Sequence, residues 1–134
     1  MLEINISSHY AFEGERKYRL VQTTDEGYTL DYERLDYHQP HQAKHIRLKN
    51  EDIEPLLKTL FDQKLPLRKS TLFGLDGVMN EVSINRTGNA RSYHWWGEGD
   101  ESYQGLNCFV NAVKQLFINR LAAYEQNVKG QIYQ

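Results

Sequence analysis

From Leu2 to Glu13 the chain alternates in period two, with Leu2, Ile4, Ile6, Tyr10 and Phe12 on even positions and Glu3, Asn5, Ser7, His9 and Glu13 on odd ones. No amphipathic helix tolerates that period, so the segment predicts one long strand with a buried and a polar face. "EGER" then predicts a turn. Tyr18 with Leu20, and after "TTDEG" Tyr28, Leu30 and Tyr32, continue the apolar side through two more strands. A three-residue loop Asp25-Glu26-Gly27, with Gly27 left-handed, is expected between them. It pairs Gln22 with Leu30 and Leu20 with Tyr32, whereas a two-residue loop sets Leu20 against Glu33. "LDYHQPHQ" reads as an irregular connection, and Ile46 with Leu48 as a fourth strand.

The period then changes. Ile53, Leu56, Leu57, Leu60 and Phe61 in "NEDIEPLLKTLFDQK" follow a helical stripe. Asp52 is the better cap, because Pro55 then falls in the first turn, where its missing N–H costs nothing. "KLPLRKSTLFGLDG" is expected to be a loop with one short strand. "VMNEVSINR" and "ARSYHWW" form a second hairpin around "TGN". A Gly88-Asn89 loop sets Ile84 against Tyr93 and Val82 against Trp95, leaving Glu81, Ser83, Asn85, Ser92, His94 and Trp96 on the other side. A last helix is expected from about residue 103 to 125. Its stripe is Leu106, Phe109, Val110, Val113, Phe117, Leu121 and Tyr124, widened by Leu116 and Ile118, and the tail "NVKGQIYQ" is expected to fray.

The resulting order, ββββ-α-ββ(β)-α, is an α+β fold: an antiparallel sheet of six to seven strands with two amphipathic helices on one face. No linker divides the 134 residues, which suit one domain. Eighteen acidic residues against sixteen basic ones give a net charge of −2, which argues against general nucleic-acid binding. The lone Cys108 excludes an internal disulfide framework. With no signal-peptide pattern and no membrane-length apolar run, a cytoplasmic protein without membrane attachment is expected.

"SYHWWGEGDESYQG" concentrates the residues of interest. Adjacent tryptophans on a strand point to opposite faces, which assigns Trp95 to the core and Trp96, opposite Glu81 and beside His94, to the outer face. A tryptophan rimmed by charges suits a recognition surface, and the loop carboxylates Glu98, Asp100 and Glu101 suit a basic partner. Their structural alternative is a set of solvated acids near a helix N-terminus. The same loop lacks the spacing of an EF-hand.

His38, His41 and His45 are close in sequence, but Pro40 interrupts any helical spacing and no cysteine joins them, so no metal is expected. Cys108 with His94 is a conceivable nucleophile and base, but a buried structural cysteine accounts for Cys108 more simply. His94 with Glu81 or Glu98 is a conceivable acid/base pair of a hydrolase or nuclease. Neither glycine-rich stretch matches a nucleotide fingerprint, so no cofactor is expected. Tyr10, Tyr18, Tyr28 and Tyr32 are in phase with the core, which weakens an RNA- or ligand-binding sheet.

"FGLDGVMNEVSINRTGNARSYHWW", with Gly74 to Gly77 ahead of a strand and Tyr93, Trp95 and Trp96 closing the next, resembles a pattern of small uncharacterised bacterial α+β proteins. The resemblance implies a bacterial cytosolic protein. Some proteins of similar size and layout are immunity partners of antibacterial toxins. The leading expectation is a non-enzymatic protein-binding domain of immunity type, with no catalytic residues. Its surface would comprise Glu81, His94, Trp96, Glu98, Asp100 and Glu101, its partner a toxin or other protein, with a homodimer as a further form. The alternatives are a small hydrolase or nuclease using His94 and a nearby carboxylate, and an RNA- or ligand-binding sheet.

Overall fold

The alternating segments pair into one antiparallel sheet among the described residues: β1 (Glu3–Tyr10), β2 (Gly14–Gln22), β3 (Gly27–Asp36), β4 (Gln42–Lys49), β5 (Val78–Arg86) and β6 (Asn89–Trp96). Their order across the sheet is β4-β3-β2-β1-β5-β6, so the first strand lies in the interior. Helix α1 (Asn50–Asp62) follows β4 directly, and a 3-10 turn (Glu101–Tyr103) leads into α2 (Gln104–Tyr133). The computed structural model describes residues 1–23, 27–66 and 77–133, the last ten by backbone alone. The further strand expected between Lys64 and Gly77 falls mainly outside the described residues, as do Gly74, Leu75 and Asp76.

Both helices pack on one face, where Ile4, Ile6, Leu20, Leu30 and Val82 of the sheet meet Ile53, Leu60, Leu106 and Val113. Each such side chain contributes about 1.5–3 kcal/mol by leaving water. The rings of Tyr32 and Phe117 stack at 4.5 Å, with Tyr18 edge-on to Phe117 at 5.8 Å. Burial pushes the Tyr18 phenol up to about 12, further from ionisation than a solvated tyrosine. The sheet tyrosines Tyr18 and Tyr28 thus serve the core.

Several expectations change. The first strand stops at Tyr10, because the Ala11 N–H turns to the Gly77 carbonyl and the Glu13 N–H closes back on Tyr10. Phe12 therefore leaves the core pattern, adopts φ +66° and is 81% exposed. In the next hairpin Gln22 faces Tyr28 and Leu20 faces Leu30, with Gly27 inside β3 and not left-handed. In the second hairpin Thr87-Gly88 is the loop. Val82 faces Tyr93, Asn80 faces Trp95 and Met79 faces Trp96, while Glu81 faces His94. Both registers differ from expectation by two residues, a slip that keeps every side chain on its assigned face.

The helix ends differ as well. Because β4 runs straight into α1, Lys49 occupies the cap and Asp52 the third helical position, where its carboxylate accepts from the Lys49 N–H at 3.1 Å. Pro55 consequently sits in the second turn. Asp52 also accepts from Arg120, tying α1 to α2. The α2 backbone stays helical to Tyr133 instead of fraying, and Ile118 is 56% exposed instead of widening the apolar face.

At one end of the sheet Asp36 accepts from Arg16 at 2.7 Å and from Arg34 at 2.5 Å. Burial alone raises the Asp36 pKa, but the hydrogen bonds from the two guanidinium groups outweigh it and hold the carboxyl below its ordinary value. A folded-state pKa below the unfolded one contributes stability above the unfolded pKa and loses it as pH falls through the folded value. Urea unfolding of the wild type and Asp36→Asn should therefore differ at neutral pH and converge as the pH drops below about 4. A difference independent of pH would show that Asp36 acts through packing alone.

Candidate functional site

The helices leave the other face of the sheet uncovered by any described element. Its side chains come from the odd positions of β1 to β5 and the even positions of β6, the phase opposite to the buried set. Most are polar or charged, and several of the charged ones pair across neighbouring strands. Glu3 accepts from Arg19 at 2.6 Å, Glu33 lies 2.9 Å from His41, Glu15 lies 3.4 Å from His9, and His45 contacts Asp31. The centre of the face is a shallow concavity of about 800 Å³ lined by Asn5, Ser7, Lys17, Arg19 and Glu33 among others.

One cross-strand row carries apolar side chains at both ends of the His9–Glu15 pair. Pairing sets Trp96 against Met79, Met79 against His9, His9 against Glu15, and Glu15 against Leu35, a continuous line over five strands. All five side chains are partly buried, and the 60% exposed Tyr37 closes the line with its ring edge-on to His9. The next row begins with His94 and Glu81. Their ring nitrogen and carboxylate oxygen are 3.8 Å apart and both side chains are about half exposed, the geometry of a surface cross-strand pair.

The six residues singled out in the sequence divide between two places. Glu81, His94 and Trp96 share the uncovered face. Trp96 lies against Gly77, where a Cβ would come within 3.3 Å of the indole nitrogen. Glu98, Asp100 and Glu101 belong to the turn that carries the chain over the sheet edge to the helices. Asp100 caps that turn, accepting from the Ser102 N–H at 2.9 Å and from its hydroxyl. The Glu98 carbonyl accepts from Asn107 at 2.5 Å, and Asn107 in turn accepts from the Trp95 indole at 2.7 Å. Asp100 thus has a structural task, while the Glu98 and Glu101 side chains remain exposed.

Other constellations separate. Cys108 is exposed on α2, against the expectation of a buried residue, and His94 lies across the sheet from it, so the two cannot form a dyad. His41 and His45 turn to different carboxylates, Glu33 and Asp31. Among the described residues no three His, Cys, Asp or Glu side chains converge as metal ligands, and no helix is long and apolar enough to cross a membrane.

The contribution of Met79 and Leu35 was missed in the sequence because each sits on the polar phase of its strand. An apolar residue out of phase is the available signal, but only register across five strands joins such residues into a row. The sequence matches no family model and no curated protein.

Proposed function

We propose that this chain is a non-catalytic protein-binding domain whose partner seats on the sheet face that the described elements leave open, along the row from Trp96 to Leu35. The row is the observation that carries this reading. An antiparallel sheet covered on one side normally presents polar residues on the other. Here Trp96 with Met79, and Leu35 with Tyr37, replace them on either side of the His9–Glu15 pair, in a line four strand spacings long, about 19 Å. Aromatic residues and Met are enriched in protein interfaces.

The dimensions agree. Six strands of about eight residues make a face on the order of 750 Å². One partner contributes about 800 Å² to a standard-size interface. The specific form we favour is an immunity-type protein that neutralises a toxin. The exposed Glu98 and Glu101 beside the Trp96 end would steer a basic partner toward this face.

The test is capture of partners from the native cell by the wild type and by the double variant Leu35→Asp/Met79→Asp, with circular dichroism to verify folding. The captured protein, once purified, is expected to bind the variant at least tenfold more weakly, a loss of about 1.4 kcal/mol or more. Equal affinity for both would exclude the row as the interface.

A further inference from the structure

On the helix side of the sheet, two buried positions among the described residues carry polar side chains in the core phase. Ser8 follows Ile4 and Ile6 in β1, and Asn80 precedes Val82 and Ile84 in β5. Both are buried, Ser8 at 0% exposure. Burying such groups costs free energy unless they are hydrogen-bonded. Here the Ser8 hydroxyl donates to Asn80 Oδ1 at 3.0 Å, and Asn80 Nδ2 donates to the Gly97 carbonyl at 3.0 Å. The chain ends on a cation. Lys114 of α2 donates to the Ser8 hydroxyl at 3.2 Å and to the Tyr10 hydroxyl at 3.4 Å.

Lys114 differs from the arginines anchored on carboxylates. Arg16, Arg19, Arg34 and Arg120 each contact a carboxylate. Lys114 is part-buried, is held by two neutral oxygens, and forms no ion pair with the described residues. It borders a cavity of about 580 Å³ whose polar wall is Tyr10, Asn80, Gln104, Asn107 and Asn111, with Glu98 also on its lining.

We propose that this cavity binds a small monocarboxylate bearing a hydroxyl or amino group, with the carboxylate on Lys114. One ammonium balances one negative charge, and Glu98 opposes a dianion such as phosphate while accepting from a ligand donor. Asn80 and Asn107 are engaged within the fold, while the exposed carboxamides of Gln104 and Asn111 supply both donors and acceptors, as a ligand with hydroxyl or amino substituents requires. The cavity lies on the opposite face of the sheet from the partner surface and shares only Glu98, at the sheet edge, with it; a ligand titration of the isolated chain tests it without the partner.

The test is an NMR titration of the full chain with lactate, glycine, acetate and inorganic phosphate, following the side-chain amides of Asn80, Asn107 and Asn111. Saturable shifts with lactate or glycine, weaker with acetate, are expected, and they should vanish in Lys114→Met. Asn111→Asp alters an exposed residue, spares the buried network and places a competing carboxylate beside Lys114. It should weaken binding at least tenfold. No saturation by lactate and glycine, unchanged binding in both variants, or tighter binding of phosphate than of either would overturn the proposal.

Discussion

Replacing Gly14 with alanine is expected to destabilise the protein by about 3–5 kcal/mol, a large share of the 5–15 kcal/mol that holds a typical domain together. Gly14 opens β2 at φ +138° and is paired with Tyr10 on one side and Asp36 on the other. A Cβ there would lie 1.9 Å from the Leu35 carbonyl oxygen and 2.9 Å from the Asp36 Cα. These are backbone atoms of the adjacent strand, so relief requires β3 to part from β2. Gly88 provides the control. Its φ is +78°, and an added Cβ would meet nothing within 4 Å. Gly88→Asn should cost about 1 kcal/mol or less, because asparagine tolerates the left-handed region and no neighbour must move. Urea unfolding of both variants separates steric exclusion from dihedral strain. Similar small losses would show that the β2–β3 end yields easily.

Trp95→Ala should cost about 3–5 kcal/mol, whereas Trp96→Ala should cost about 1 kcal/mol. Trp95 is 1% exposed, lies 5.4 Å from the ring of Tyr103, and donates its indole N–H to Asn107. Truncation removes the ring, leaves a cavity, and deprives Asn107 of the donor that orients it. Asn107 also grips the Glu98 carbonyl, so the turn after β6 loses its tie to α2. Trp96 is half-buried on the other face, where water reaches part of the ring in the folded chain. Guanidinium unfolding of the two variants measures the contrast. Equal losses would place Trp96 in the stability of the fold and reduce its availability for recognition.

The paired tryptophans show how far local pattern reaches. Opposite orientation of Trp95 and Trp96 is a property of any strand, and the structure agrees with it. The partner of Trp96 is another matter. Glu81 and Met79 lie on the same face two residues apart, so the sequence pattern fits either, and the choice changes a tryptophan beside a carboxylate into one beside an apolar side chain. The acidic loop divides in the same way. Asp100 is bound into the turn as a cap, a role its sequence context allowed but did not select over exposure.

Periodicity in the sequence determined the element types, their order, and which side of each strand or helix meets the core, because burying apolar surface depends on parity and helical phase alone. Tertiary structure decided the registers, the exit of Phe12 from the first strand, and the meeting of Lys114 with Ser8 across 106 residues. A two-residue slip preserves every hydrophobic contact class, so hydrophobicity cannot choose between registers. The choice falls to turn closure and backbone hydrogen bonding, which depend on where strands distant in sequence come to lie.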